Sequence, residues 1–203
     1  MTEAGPEQHP LELVLWHDYR AGSAEDRSGY ENHGRIDGPA TADGRQPDWQ
    51  ALRFDGVDDR VVVLPSASLW TLGGIRLTAW IWLAALGGRR TIVEGFSSFS
   101  LLLEPNGILE GTIYNGSRWE GVRSRPDLLP FQRWVRITYA YDGVDTSTLE
   151  VDGQPVGFNV RPLGTIQPVD WPFGLNVGAW PDGSRRVFAG RIAEVKLWRT
   201  LPT

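Results

Sequence analysis

The sequence predicts an all-β protein built as a sandwich of two antiparallel sheets, because turn signals are dense and helical periodicity is absent. Dipeptides that favour the positive φ of tight hairpin turns recur throughout the 203 residues. They are Asp-Gly at Asp37, Asp43, Asp55, Asp142, Asp152 and Asp182, and Asn-Gly at Asn106 and Asn115. Between them apolar residues alternate with a period of two, and no stretch combines a helical period with caps at both ends.

The alternation is clearest in IRLTAWIWLAAL (75–86), where Leu77 and Ile81 fall on one face and Trp80 and Trp82 on the other. Both faces of this strand are therefore expected to be at least partly covered. The other predicted strands are 11–16, 52–54, 60–64, 90–95, 99–104, 108–115, 133–142, 147–153, 174–180 and 187–198. Strands at this spacing are typical of two packed antiparallel sheets.

The chain is expected to form one domain over residues 11–203, preceded by a flexible polar tail at 1–10. No linker divides it, and 31–50 is predicted as a long loop or a weak-strand region. Hydrophobic residues make up 41% of the chain, which is enough for a sizeable core. Cysteine is absent, which excludes disulfides and thiolate metal ligands.

Charge and hydropathy restrict the partners and the location. The net charge of −5 argues against nucleic-acid binding, which needs an excess of basic residues on one surface. The bases are nineteen Arg and one Lys, a bias that suits stacking on tryptophan. Residues 1–10 lack the features of a signal peptide, and the longest apolar run, 77–86, is too short for membrane insertion. As written, the chain is expected in the cytoplasm, or outside the cell if it belongs to an exported complex or a longer chain.

Four blocks, taken together, resemble the laminin-G-like, concanavalin-A-like jelly-roll domain family. They are DRSGYENHGRIDG (26–38), LRFDGVDDRVVV (52–63), WVRITYAYDGVDTSTLEVDGQPVG (134–157) and FAGRIAEVKLWRTLP (188–202). The resemblance implies two curved sheets of about six or seven strands each, with the first and last strands side by side. It implies little about activity, because this fold carries lectins, adhesion modules, enzymes and structural appendages.

The same resemblance implies a structural calcium ion at the rim of the sandwich. Its ligands would be oxygens of Asp26, Asn32, Asp58 or Asp59, and Glu194. Tyr30-Glu31 precedes Asn32 where the family usually has small residues, so the loop departs from the family pattern. In the alternative interpretation each residue has a local structural role. Asp55 lies in a hairpin turn, Asp26 and Asn32 form Asx turns, and Glu194 forms an ion pair with an Arg.

No catalytic constellation is predicted. Polysaccharide-cleaving relatives place paired acids on one strand, typically as Glu-x-Asp-x-Glu. The nearest match, Glu150-Val151-Asp152, continues into a Gly and is interpreted as a strand that ends in a turn. The chain is therefore expected not to be an enzyme.

Eight of the ten tryptophans fall into two groups. Trp16, Trp80, Trp82, Trp134 and Trp198 lie in predicted strands and are expected to pack the core or the seams between the sheets. The second group lies in loops, where aromatic side chains at one rim could form a shallow patch for a glycan or a protein loop. Its residues, with their polar neighbours, are Trp119, Trp171, Trp180, Tyr114, Asn115, Arg118, Asp170 and Asp182. The alternative folds these tryptophans onto the core as lids.

Two functions follow from these patterns. The first is a non-catalytic binding module whose ligand is a carbohydrate or glycoconjugate, stabilised by calcium. The second is a structural or assembly component that docks onto a larger protein complex through its loops or sheet edges.

Overall fold

Two antiparallel sheets form the protein in a computed structural model that describes residues 10–202. The eight-stranded sheet contains β1 (Glu12–Asp18), β3 (Ala40–Asp43), β4 (Gln50–Asp55), β6 (Ile75–Leu83), β11 (Trp134–Tyr141), β12 (Thr146–Val151), β13 (Gln154–Val160) and β15 (Ala189–Arg199). The seven-stranded sheet contains β2 (Gly34–Asp37), β5 (Arg60–Val63), β7 (Arg90–Gly95), β8 (Phe99–Leu103), β9 (Leu109–Tyr114), β10 (Trp119–Arg123) and β14 (Leu175–Val177). The predicted all-β sandwich is confirmed. Except for Pro10, the predicted tail lies outside the described residues.

Strand order explains how distant parts of the sequence meet. The eight-stranded sheet runs β13-β12-β11-β6-β15-β4-β3, with β1 also paired to β15. The first and last strands are therefore neighbours, as the resemblance implied. The seven-stranded sheet runs β10-β9-β8-β7-β14-β5-β2. At one side the sheets meet, where the Asn159 side-chain amide of β13 donates to the Gly121 carbonyl of β10 at 3.0 Å.

The core lies between the sheets and is filled from alternate positions of each strand. In β6 the buried residues are Ile75, Leu77, Ala79, Ile81 and Leu83, all at most 1% exposed. Burying a side chain of this size contributes about 1.5–3 kcal/mol to the free energy of unfolding. The largest fully buried aromatic side chains are Tyr19, Tyr139, Tyr141, Phe54, Phe99 and Phe188.

The expectation that strand tryptophans pack the core is wrong. None of the ten tryptophans, all of which lie in the described part of the chain, is among the buried core residues. Trp80 and Trp82 occupy the β6 positions between the core residues, so they project from the outer face of the eight-stranded sheet. The tryptophan side chains instead form a half-buried part of the outer surface, and smaller aliphatic and aromatic side chains fill the interior.

Short elements complete the chain. The predicted weak region 31–50 contains β2 and β3, each of four residues. A 3-10 turn at Tyr19–Ala21 and a four-residue helix, α1 (Ala67–Trp70), are the helical elements of residues 10–202. Within that range no helix has the length and apolar character needed to cross a bilayer.

Candidate functional site

The turn between β9 and β10 presents a pair of aromatic rings to solvent. Tyr114 and Trp119 are directly opposed across the hairpin, and their ring centroids lie 5.4 Å apart. They occupy the outer face of the seven-stranded sheet, since Ile113 beside them is fully buried. Trp119 is 40% exposed. Cross-strand aromatic pairs of this kind hold each other in place and leave one surface free for contact.

Asn115 and Arg118 play different parts in this turn. The Asn115 carbonyl Oδ1 accepts hydrogen bonds from the backbone N–H of Ser117 and Arg118, and its Nδ2 donates to the Leu163 carbonyl. The amide of Asn115 is thus used to shape the turn. The Arg118 side chain is 75% exposed and pairs with Glu120, so it lies at the tip of the same hairpin and remains accessible to solvent.

The loop that leads into β14 borders the same rim. The backbone N–H of Gln167 donates to the Tyr114 carbonyl, and that of Asp170 donates to the Phe96 carbonyl. Trp171 follows and is 56% exposed, while Asp170 uses Oδ1 to accept from the Trp171 N–H. Tyr114, Trp119 and Trp171 therefore share one end of the seven-stranded sheet.

Trp180 and Asp182 lie at the opposite end. In the β7–β14 register Leu175 opposes Gly95 and Val177 opposes Val93, so residues after β14 leave the sheet at the end remote from Trp171. Asp182 caps its own turn, with Oδ1 accepting from the N–H of Ser184 and Arg185. The single rim patch expected from the sequence is divided in two.

Asp26 and Asn32 are saturated by their own chain. The Asp26 carboxylate accepts from the backbone N–H of Trp16, Ser28 and Asn32 and from the Ser28 hydroxyl. Those bonds hold the pKa of Asp26 below its ordinary value despite the opposing effect of partial burial. Asn32, 2% exposed, donates to the Val14 carbonyl and the Ser68 hydroxyl and accepts from Ser66. Asp26 makes the Asx turn of the alternative interpretation; Asn32 instead makes a buried tertiary network.

Glu194 is held by neighbours on the outer face of the eight-stranded sheet. The Trp16 indole N–H donates to Glu194 Oε2 at 3.2 Å, and Lys196 lies 3.1 Å from the same oxygen. The ion pair of the alternative interpretation is formed with Lys rather than Arg. In residues 10–202, neither Glu194 nor Asp26 belongs to a cluster of three or more candidate metal ligands, so the arrangement expected from the family resemblance is not assembled.

The three Asp side chains of FDGVDD, in contrast, lie close together. Ligand oxygens of Asp55, Asp58 and Asp59 all lie within 4.8 Å of one another, the one such cluster found in residues 10–202. Asp55 Oδ1 accepts from the N–H of Val57 and Asp58, and Asp59 Oδ2 accepts from the N–H of Asp55. Burial, together with the charges of Asp55 and Asp58, raises the pKa of Asp59. The turn thus combines hairpin geometry with three converging carboxylates, whose negative charge the nearby Arg53 partly offsets.

A buried acid that the sequence did not single out lies on β7. Glu94 is fully buried on the outer face of the seven-stranded sheet, opposite Asn176 and Ser100. Desolvation raises its pKa to about 8, against the opposing charges of Arg186 and Arg89. Three buried atoms near this position have no hydrogen-bond partner: Thr91 Oγ1, Glu94 Oε1 and Asn176 Oδ1. The segment was predicted as a strand, but its burial depends on residues some eighty to ninety positions away in sequence.

The Glu150 and Asp152 pair has the structural role that the sequence indicated. Asp152 Oδ1 accepts from the Arg136 N–H and Oδ2 pairs with Arg133 at 3.2 Å. Gly153 follows with φ 80°, so the strand ends in a tight turn at Asp152.

Comparison with solved structures supports the fold. Domain 4 of AbnA, a GH43 extracellular arabinanase from Geobacillus stearothermophilus solved in complex with arabinotriose, has a TM-score of 0.68 and 16% identity over 95% of each chain. The binding domain of Paraclostridial Mosquitocidal Protein 1 has a TM-score of 0.66 and 14% identity, with 95% of this chain and 50% of that one covered. Trypanosoma rangeli sialidase in complex with the inhibitor DANA has a TM-score of 0.63 and 15% identity, with 93% and 31% covered.

At these low sequence identities, the similarity to the solved structures shows only that the chain has the same fold. No curated protein sequence matches the chain. A family model described as the concanavalin A-like lectin/glucanases superfamily matches residues 33–203. The matched range includes β15, the Tyr114–Trp119 hairpin and the FDGVDD turn. With the two-sheet architecture and this match over most of its length, the chain belongs to the concanavalin A-like lectin/glucanases superfamily.

Proposed function

We propose that the protein is a non-catalytic carbohydrate-binding module whose ligand stacks on the Tyr114–Trp119 pair. The observation that carries this proposal is the exposed, mutually braced pair of rings at one rim, with Trp171 on the adjoining loop. Sugar rings pack their apolar faces on such aromatic surfaces, while nearby polar groups fix their orientation. Arg118 supplies donors for hydroxyl or carboxylate groups. The arabinotriose bound to the similar arabinanase domain supports a glycan as the ligand class.

Replacing Trp119 by Ala should weaken glycan binding at least about tenfold, because a central aromatic contact is typically worth more than 1 kcal/mol. Titration calorimetry with arabinotriose and with sialylated oligosaccharides measures the effect. Trp180→Ala is the matched control: it removes the same side chain from the opposite end of the sheet and should bind as the wild type does. Equal binding by Trp119→Ala and the wild type, or no binding of any glycan on an array, would contradict the proposal.

We further infer that the calcium ion implied by the resemblance is held at Asp55, Asp58 and Asp59. The three carboxylates fit a hard divalent cation, since they converge within 4.8 Å and their mutual repulsion is one reason why the pKa of Asp59 is raised. Three carboxylates fall short of the six to eight oxygens that calcium takes, so water and carbonyl groups would complete the shell. When bound, the ion would stabilise the turn that joins β4 to β5.

Calcium at about 100 times its Kd should raise the free energy of unfolding by about 2.7 kcal/mol and the melting temperature by roughly 5–10 °C. Thermal melting in calcium and in a chelator measures this, together with elemental analysis of the purified protein. Asp58→Asn should reduce the response, whereas Asp48→Asn, an exposed loop residue at φ 65° where Asn fits equally well, should retain it. An unchanged melting temperature in the wild type would exclude the site.

A further inference from the structure

The outer face of the eight-stranded sheet carries a second aromatic surface, distinct from the rim. Register places Trp82 beside Trp134 and Arg191, and Trp80 beside Glu194 and Arg136. Trp16 lies opposite Lys196, and Trp198 lies opposite Arg76. We call this the cation–tryptophan face; its members are Trp16, Trp80, Trp82, Trp134, Trp198, Arg53, Arg76, Arg136, Arg191 and Lys196, with Arg20, Arg45 and Trp49 folded against it.

Cations cover three of the indole rings on this face, those of Trp16, Trp80 and Trp82. The Arg45 guanidinium carbon lies 4.2 Å from the Trp80 ring centroid, and that of Arg191 lies 4.8 Å from Trp82. The Lys196 ammonium lies 4.5 Å from the Trp16 centroid. The outermost layer is therefore a set of guanidinium and ammonium groups positioned on indoles. Side chains fixed in this way lose little rotamer entropy when a partner binds.

The face is electropositive on a chain of net charge −5. Its acids are Asp18, Asp55, Glu150 and Glu194, fewer than its cations, and Asp18 and Glu194 are already paired with Arg20 and Lys196. Arg53, Arg76 and Arg136 are exposed, and none of them takes part in an ion pair found within residues 10–202. Their charge is available to a partner.

We propose that the cation–tryptophan face docks an acidic surface of a partner protein. Tryptophan and arginine are the residues enriched in the energetic centres of protein interfaces. Planar guanidinium groups pair bidentately with carboxylates, and a rigid indole backing strengthens that pairing by excluding water. Charge complementarity thus selects a surface rich in Asp and Glu.

The geometry disfavours two other anionic partners. Sugars and nucleobases stack on free ring faces, whereas several rings here already carry a cation. A long polyanion that extended beyond the face would also meet the negative remainder of the chain. A compact acidic protein surface avoids both costs. The face lies on the other sheet from Tyr114 and Trp119, so this inference is independent of glycan binding.

Binding of a short fluorescein-labelled polyglutamate peptide, which fits within the face, is followed by fluorescence anisotropy at low ionic strength and tests the proposal. The variant pair Arg53→Glu and Arg76→Glu should weaken binding at least about tenfold. The matched control, Arg35→Glu with Arg125→Glu, reverses two exposed arginines on the side of the seven-stranded sheet and lowers the net charge by the same amount. It should bind nearly as the wild type does. Melting and circular dichroism establish that each variant folds. If the variant with Arg53→Glu and Arg76→Glu does not fold, the variant with Arg53→Gln and Arg76→Gln is used in its place.

Heparin and oligo-dT are tested in parallel and should bind more weakly than polyglutamate. The proposal is overturned if polyglutamate does not bind, or if the control loses as much affinity as the Arg53 and Arg76 variant. It is also overturned if heparin or oligo-dT binds more tightly through the same arginines, which would assign the face to a polyanionic glycan or to nucleic acid.

Discussion

Replacing Glu94 by Gln should stabilise the folded protein at pH 8 and above, and the gain should disappear as the pH falls towards 4.5. Glu94 is fully buried and has one carboxyl oxygen without a partner. Burial raises its pKa from 4.5 to about 8. A neutral amide of the same size removes the cost of ionisation and brings a donor beside the unpartnered Oδ1 of Asn176, which lies directly opposite.

The direction of the pH dependence follows from proton binding. Between pH 4.5 and about 8 the folded state retains the Glu94 proton that the unfolded state releases. The contribution of Glu94 to stability is therefore fully present below pH 4.5 and is lost as pH rises to about 8, by about 1.4 kcal/mol per pH unit. Above that window both states are ionised and the loss stays constant. Glu94→Gln lacks this dependence.

Urea unfolding of both proteins across pH 4 to 9, at roughly unit intervals, measures the difference. Because both chains contain the same remaining titratable groups, subtracting one profile from the other isolates the contribution of Glu94. Glu25→Gln, which removes an exposed carboxylate, should give a profile parallel to that of the wild type. Parallel profiles for Glu94→Gln and the wild type would show that Glu94 is ionised at neutral pH in the folded protein.

Replacing Asn32 by Asp should destabilise the protein by about 3–5 kcal/mol, the range seen when a buried charge is left uncompensated. Asn32 is 2% exposed, and its Nδ2 donates to the Val14 carbonyl at 2.6 Å and to the Ser68 hydroxyl at 2.8 Å. The Asp carboxylate has no N–H to donate, and it places negative charge next to the Val14 carbonyl oxygen. The substitution should loosen the 26–33 loop from both β1 and α1.

Thermal and urea unfolding with and without calcium measure this change. Asn106→Asp is the matched control, because the exposed Asn106 uses only its Oδ1, towards the Ile108 N–H, and a carboxylate can replace that oxygen. Restoration of stability by calcium would favour the metal-ligand role that the resemblance implied for Asn32. A loss that calcium leaves unchanged is expected from the hydrogen bonds.

Local turn chemistry made much of the fold predictable. Asp142 illustrates why: its Oδ1 accepts from the N–H of Val144, Asp145 and Thr146, and Gly143 adopts φ 87°. Such turns are specified within five residues. The alternation in β6 likewise separated Leu77 and Ile81 from Trp80 and Trp82 correctly. Hydrophobicity alone then suggested burial for the tryptophans, whereas the cations that make their exposure tolerable come from other segments.

The candidate site was predictable only where its residues lie close together in sequence. Tyr114 and Trp119 meet across one hairpin, so their proximity follows from an Asn-Gly turn. Trp171 and Trp180 are separated by a strand, β14, whose length places them at opposite ends of the sheet. Glu94 gave no sequence signal, since its burial arises from Asn176 and the segment around Arg186. Long-range packing decides such features, and periodicity does not report it.

The absence of tryptophan from the core has a practical consequence for spectroscopy. Native emission should already be that of partly hydrated indoles, so denaturation should shift the spectrum little, while far-ultraviolet ellipticity records the loss of strands. Occupation of either aromatic surface, by contrast, should dehydrate indoles or displace the cations above them. The intrinsic fluorescence of this protein is therefore a reporter of ligands rather than of folding.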